Sequence, residues 1–88
     1  MKIKSDIVVQ KVGGSYLAVA VGKRAEEISG MIKLNESAMF LWNTALNHGV
    51  DADKLADALV GEYGITREEA LTDAKAFVQT LIEKRIAE

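Results

Sequence analysis

The sequence predicts an α+β domain, winged-helix-like in its layering, with a three-stranded antiparallel sheet followed by a three-helix bundle. Three observations carry that prediction. Before about residue 35 the apolar residues are largely β-branched and punctuated by glycine. After it they recur at i, i+3, i+4 and i+7, the period of an amphipathic helix. The polar breaks between the helical stretches are short, as connections between packed neighbours are.

The strands come first. Ile7–Val12 and Tyr16–Val21 read as two strands joined by Gly13-Gly14, a tight hairpin in which glycine reaches positive φ at no steric cost. On the second strand Leu17, Val19 and Val21 share one face, with Tyr16, Ala18 and Ala20 on the other. Gly22–Ser29 is a polar excursion carrying Lys23, Arg24, Glu26 and Glu27. Gly30–Leu34 reads as a short third strand, expected to pair with the second and to leave its outer edge exposed.

The helices follow. Asn35 is an N-cap, and Ala38, Leu41, Trp42, Ala45 and Leu46 form one buried stripe that ends at Gly49. Met39 and Phe40 lie off that stripe and are expected in the core of so small a domain. Asp51 caps the second helix, whose stripe is Leu55, Ala56, Leu59, Val60 and Tyr63 and whose end is Gly64. Thr66-Arg67-Glu68-Glu69 is a capping box that opens the third. Its apolar arc holds Ala70, Leu71, Ala74, Phe77, Val78, Leu81 and Ile82.

Composition narrows the functions. The chain has 88 residues, 49% of them hydrophobic, which suits one domain over residues 1–88 with a modest core. With no cysteine there is no disulfide, thiolate nucleophile or cysteine-held metal, and the single histidine, His48, makes no multi-histidine site. A net charge of −2 offers little to a phosphate backbone. No stretch reaches the roughly 18 apolar residues of a membrane span, and the start is charged rather than signal-like. The expectation is a cytoplasmic domain without a cofactor.

Catalytic constellations are weak throughout. Asp51, Asp53, Asp57, Glu68, Glu69 and Asp73 sit in first helical turns or on outer faces, where the helix dipole and water favour carboxylates. His48 stands at a helix C-terminus, a capping position. Ser29 and Ser37 have no base beside them, and no glycine pattern cradles a phosphate. A DNA-binding, winged-helix regulator is the alternative function. Against it, the third helix balances Arg67, Lys75 and Lys84 with Glu68, Glu69, Asp73 and Glu83, where groove readers carry a basic surplus.

Peptide binding fits two features better. The third strand, Gly30, Met31, Ile32, Lys33 and Leu34, lacks a predicted outer neighbour, so its backbone can receive an extended peptide, with Lys33 guarding against promiscuous pairing. At 100° per residue the arc of the third helix spans about 140°, wider than the ~100° stripe a surface helix buries. Its excess flank, Leu71, Val78 and Ile82 with Lys75, is expected to line a groove beside the strand edge. The same exposed edge also permits an edge-paired dimer in place of a monomer.

Leu34-Asn35-Glu36-Ser37-Ala38, Leu41-Trp42, Gly49, Tyr63-Gly64, Asp73, Phe77 and Leu81 together resemble the family of pyrroloquinoline quinone biosynthesis protein D (PqqD). Its members typically read L-N-x-[ST]-A, a hydrophobic-Trp pair, a glycine after the first helix, a tyrosine closing the second, and D-x-x-x-F-x-x-x-L in the third. The match runs from Val8 to about Ile82. The resemblance implies a non-catalytic peptide chaperone that binds the leader of a ribosomally made precursor and presents the core to a radical S-adenosylmethionine (radical SAM) or other modifying enzyme. It places the leader as a strand on Gly30–Leu34, against the flank of the third helix around Leu71, Lys75 and Val78. The chain departs from the family's pattern in its Lys84-Arg85-Ile86-Ala87-Glu88 close and in its Gly22–Ser29 loop.

Overall fold

A computed structural model describes residues 1–22 and 31–87. The element order is β1 (Ile7–Val12), β2 (Ser15–Ala20), β3 (Ile32–Leu34), α1 (Glu36–His48), α2 (Ala52–Tyr63) and α3 (Arg67–Glu83). The predicted α+β class and element order are those of the protein. β2 starts and ends one residue earlier than its apolar pattern suggests, and β3 is confined to three residues. Residues 23–30, which include most of the polar excursion and Gly30, lie outside the described residues.

The strands form one antiparallel sheet in the order β1-β2-β3. Val12 pairs with Ser15 across Gly13-Gly14, and Gly13 takes a φ of 61°, the positive value that the first position of a type II′ hairpin turn requires. Register then sorts the side chains. Ile7 with Ala20, Val9 with Ala18 and Ile32, and Lys11 with Tyr16 and Leu34 line the inner face. The core lies between that face and the helices, with Trp42, Leu34, Leu55, Leu81 and Ile86 its largest fully buried side chains.

Each helix starts at the residue its sequence marks. The Asn35 carboxamide oxygen accepts from Ala38 N–H at 2.8 Å, and the Asp51 carboxylate accepts from Asp53 and Lys54 N–H at 2.9 and 3.2 Å. Thr66 Oγ1 accepts from Glu69 N–H at 3.1 Å. Only this threonine half of the capping box forms, because the Glu69 carboxylate stays in water at the positive end of the helix. Two stripe positions depart from expectation. Leu46 is 57% exposed, since it stands at the margin of the α1 arc in the last full turn, and Tyr63 is 47% exposed at the end of α2. Met39 and Phe40 pack partly buried against the core, and the Phe40 ring meets Tyr63 edge to face at 5.7 Å.

The C-terminal close is ordered by backbone bonds. Arg85 N–H donates to the Ile82 carbonyl at 3.0 Å and Ile86 N–H to the Leu81 carbonyl at 2.8 Å, with Arg85 at a φ of 60°. That is a Schellman motif, completed by the buried pair Leu81 and Ile86. Lys4 N–H then donates to the Ile86 carbonyl, and Ile3 bridges Ala87. At the opposite end of α1, Gly49 adopts φ 88°, ψ 167°, a region essentially restricted to glycine. A Cβ there would also lie 3.4 Å from the Met1 carbonyl oxygen, which accepts from Val50 N–H. Gly49→Ala is expected to lower stability by about 1–3 kcal/mol, read as a fall in thermal midpoint with secondary structure unchanged at 20 °C.

Candidate functional site

The site is built on β3. Its alternation buries Ile32 and Leu34, 8% and 1% exposed, and turns Lys33 to the solvent. One backbone edge is bonded to β2; among the described residues the other has no strand neighbour. The edge is short and carries a lysine at its centre, two of the devices by which natural sheets limit uncontrolled pairing. A three-residue edge protected in this way still leaves backbone donors and acceptors for one extended segment.

The strand passes directly into α1, so the Asn35 cap stands at its end, with Ser37 Oγ donating to the same Asn35 oxygen at 3.0 Å. Two clefts flank this junction. One, about 450 Å³, lies between the hairpin and the strand and is lined by Gly14, Ser15, Lys33, Leu34, Asn35, Glu36 and Ala38. The other, about 320 Å³, opens between the start of α1 and α3. Its apolar floor is Ala38, Leu41, Leu59, Ala76 and Phe77, and its polar rim is Asn35, Ser37, Asp73 and Thr80. A further hollow over the first turns of α3, lined by Thr66, Glu68, Glu69, Thr72 and Asp73, belongs to the solvated helix surface and does not touch β3.

The sequence-derived residues therefore divide. Met31 is 56% exposed and Lys33 is exposed, so both can meet a ligand with their side chains. Ile32 and Leu34 can offer only backbone, and Gly30 lies outside the described residues. On α3 the buried stripe is Ala70, Ala74, Phe77 and Leu81, narrower than the apolar arc. Of the excess flank, Leu71 and Val78 pack half-buried against the core, Lys75 is exposed and Ile82 is 44% exposed. That flank does not line the cleft at the end of β3. Asp73, Ala76 and Thr80, on the other side of the buried stripe, do. The signal for them was slight: Asp73, Ala76 and Thr80 recur at three and four residues along one side of the Ala70, Ala74, Phe77 and Leu81 stripe.

The remaining polar residues have structural partners. Asp53 and Asp57 bond Arg67 at 3.3 and 2.6 Å and tie the start of α3 to α2, an exposed cluster worth at most about 1 kcal/mol. His48 ends α1 and is exposed. Among the described residues no three His, Asp or Glu side chains converge as metal ligands, and no helix is long and apolar enough to cross a membrane.

With this geometry established, comparison with known proteins places the chain. The family model for coenzyme PQQ synthesis protein D (PqqD) matches residues 16–87. The protein belongs to the PqqD family. The match begins within β2, so it takes in β3, the cap and all three helices. Among solved structures, TbiB1 in complex with the TbiA(beta) leader peptide superposes with a TM-score of 0.75 at 20% identity, covering 100% of this chain and 95% of its own. Lasso peptide synthetase B1, complexed with its leader peptide, gives 0.69 at 23% identity over 93% of this chain and 89% of its own. Both likenesses establish the fold. No curated protein sequence matches.

The exposed edge yields a prediction independent of any ligand. Lys33→Val removes the charge at the centre of β3 while keeping a strand-forming residue, and is expected to convert a monomer into an edge-associated dimer or larger species. Sedimentation velocity at rising concentration checks this; an unchanged sedimentation coefficient would show that Lys33 does not guard the edge.

Proposed function

We propose that this PqqD-family protein is a non-catalytic chaperone for the leader of a ribosomally synthesised precursor peptide, and that it works in the cytoplasm. The leader adds as a fourth strand to the outer edge of β3 over Met31–Leu34, and the domain presents the rest of the precursor to a modifying enzyme, of which a radical SAM enzyme is one class. The observation that carries this reading is the pairing of β3 among the described residues: a strand held by a buried face, with β2 on one edge and no strand on the other. The leader peptides in TbiB1 and in lasso peptide synthetase B1, two proteins of the same fold, support it.

Backbone pairing supplies orientation, and specificity comes from alternate side chains. Those on the inner side of the added strand are directed toward the helices, where the cleft of Ala76, Phe77 and Thr80 beside the Asn35 cap offers an apolar floor with a polar rim. The Leu71, Lys75 and Val78 flank stands across the buried stripe from this cleft, so the proposal rests on the cleft side. The DNA-binding alternative loses one of its few cations, because Arg67 is engaged with Asp53 and Asp57.

Calorimetric titration with the leader peptides encoded beside this chain tests the reading. Strand addition requires that only every second leader N–H face β3. N-methylation along the bound segment should therefore weaken affinity at alternate positions, roughly three- to tenfold or more for each lost bond. No binding by any leader, or equal tolerance of N-methylation at all positions, would exclude pairing to the strand.

A further inference from the structure

The two ends of the described chain meet at one corner of the molecule, and the meeting gathers cations. Lys4 N–H donates to the Ile86 carbonyl at 2.8 Å and Ile3 bridges Ala87, so the segment Lys2–Lys4 runs antiparallel beside the turn that closes α3. That turn carries Lys84 and Arg85. Lys2 and Arg85 are exposed, and Lys4 and Lys84 half-buried. Among the described residues none of these cations takes part in an ion pair. The carboxylates nearest in sequence are Asp6 and Glu83, the latter accepting from Gln79 Nε2 at 3.3 Å. In a chain of net charge −2 this is an uneven distribution. Glu68 and Glu69 occupy the opposite end of α3, about 25 Å away at 1.5 Å per residue.

Local structure does not account for all of this charge. The helix dipole favours a cation at Lys84, the C-cap of α3. It has no bearing on Lys2 and Lys4, which belong to another segment. Arg85 is more telling. Its backbone stands at a φ of 60°, where a Schellman turn favours glycine and a Cβ brings strain. A strained residue whose exposed side chain braces nothing points to a use for that side chain.

The corner lies toward the end of the sheet at which a strand added to β3 leaves it. Ile7 pairs with Ala20, Ala18 with Ile32, and Val21 N–H donates to the Asp6 carbonyl, so the start of β1, the end of β2 and the start of β3 share that end. A strand pairing antiparallel to β3 runs in the direction of β2 and emerges beside Met31. From there the start of β1 is about 14 Å away across three inter-strand spacings. Lys4 lies within about 10 Å more of chain. Roughly seven extended residues cover that path.

We propose that this corner is a second recognition site for the precursor, taking an acidic segment that begins within about seven residues on the C-terminal side of the strand bound at β3. It acts on a precursor already paired to β3, so it rests on the strand addition proposed above. Charge complementarity names the occupant: Lys2, Lys4, Lys84 and Arg85 suit carboxylates spaced along an extended chain. A nucleic acid is served poorly, because so few cations on a net acidic chain neutralise only a short phosphate track. A second copy is served poorly too, since its Asp53 and Asp57 are engaged with Arg67. Holding the acidic segment fixes the direction in which the rest of the precursor leaves the domain.

Calorimetric titration of the full chain uses the leader peptide encoded beside it, extended at its C-terminus by about ten glycine and serine residues ending in a short run of glutamate, or of glutamine in the control. At about 50 mM salt the glutamate peptide is expected to bind roughly fivefold tighter, with the difference closing near 500 mM. In Lys4→Gln/Arg85→Gly that advantage should vanish while affinity for the glutamine peptide stays within twofold of wild type. Arg85→Gly alone should raise the thermal midpoint as it weakens the glutamate advantage, a pairing that a merely structural arginine does not produce. A lowered midpoint in that variant, equal affinity for the two peptides, an advantage that survives the double variant, or the same advantage from an N-terminal extension overturns the site. Tighter binding of a single-stranded oligonucleotide of about twelve nucleotides assigns the corner to phosphates and overturns it as well. So does low-salt self-association that the double variant abolishes, which assigns it to a second copy. Failure of both peptides to bind the wild type is a separate result: it removes strand addition itself, and this inference with it.

Discussion

Burial of Ile32 and Leu34 on one side of a three-residue strand is the constraint on which the rest of this structure depends. Two side chains in the core and one neighbouring strand are enough to hold β3 in register. Nothing more is spent on its outer edge. In the proposed mode, an edge whose inner face is anchored offers an incoming strand partners already placed, so that binding would order mainly the peptide. The same anchoring sends the chain straight from Leu34 into the Asn35 cap, which brings the first turn of α1 and one flank of α3 beside the strand's end.

The helices serve that arrangement by packing on each other. α2 and α3 form the most extensive helix pair, joined across Gly64 and braced at the start of α3 by Arg67 with Asp53 and Asp57. The Schellman close of α3 returns the chain so that Ile86 is buried and its carbonyl accepts from Lys4. Both ends of the described chain are thereby tied to the core.

Much of this was legible from residue types. Asn35, Asp51 and Thr66 are caps by chemistry, and the side-chain oxygen of each accepts the expected helix N–H. The edge position of β3 followed from the absence of any later strand pattern. The lining of the cleft beside the Asn35 cap was not legible, because a helical arc records which residues avoid water and not which neighbour they meet. Leu71 and Val78 widened the arc but pack half-buried against the core, while Ala76 and Thr80, unremarkable in hydropathy, border the cleft. The C-terminal turn was hidden for a different reason: Arg85 holds a left-handed position where glycine is the usual marker. Leu46 was misplaced because periodicity continues to the end of a helix whether or not anything covers its last turn.

Within the described residues, a strand edge without a neighbour and a cleft at its end are the geometry on which the proposed binding of a leader peptide rests. Backbone amide hydrogen exchange followed by NMR tests that claim most directly. Saturating leader peptide should strongly slow exchange at those Met31–Leu34 amides that β2 leaves free, while exchange in β1, already at the far side of the sheet, stays nearly constant. Protection confined to β1, or none in β3 despite saturation, would contradict the account.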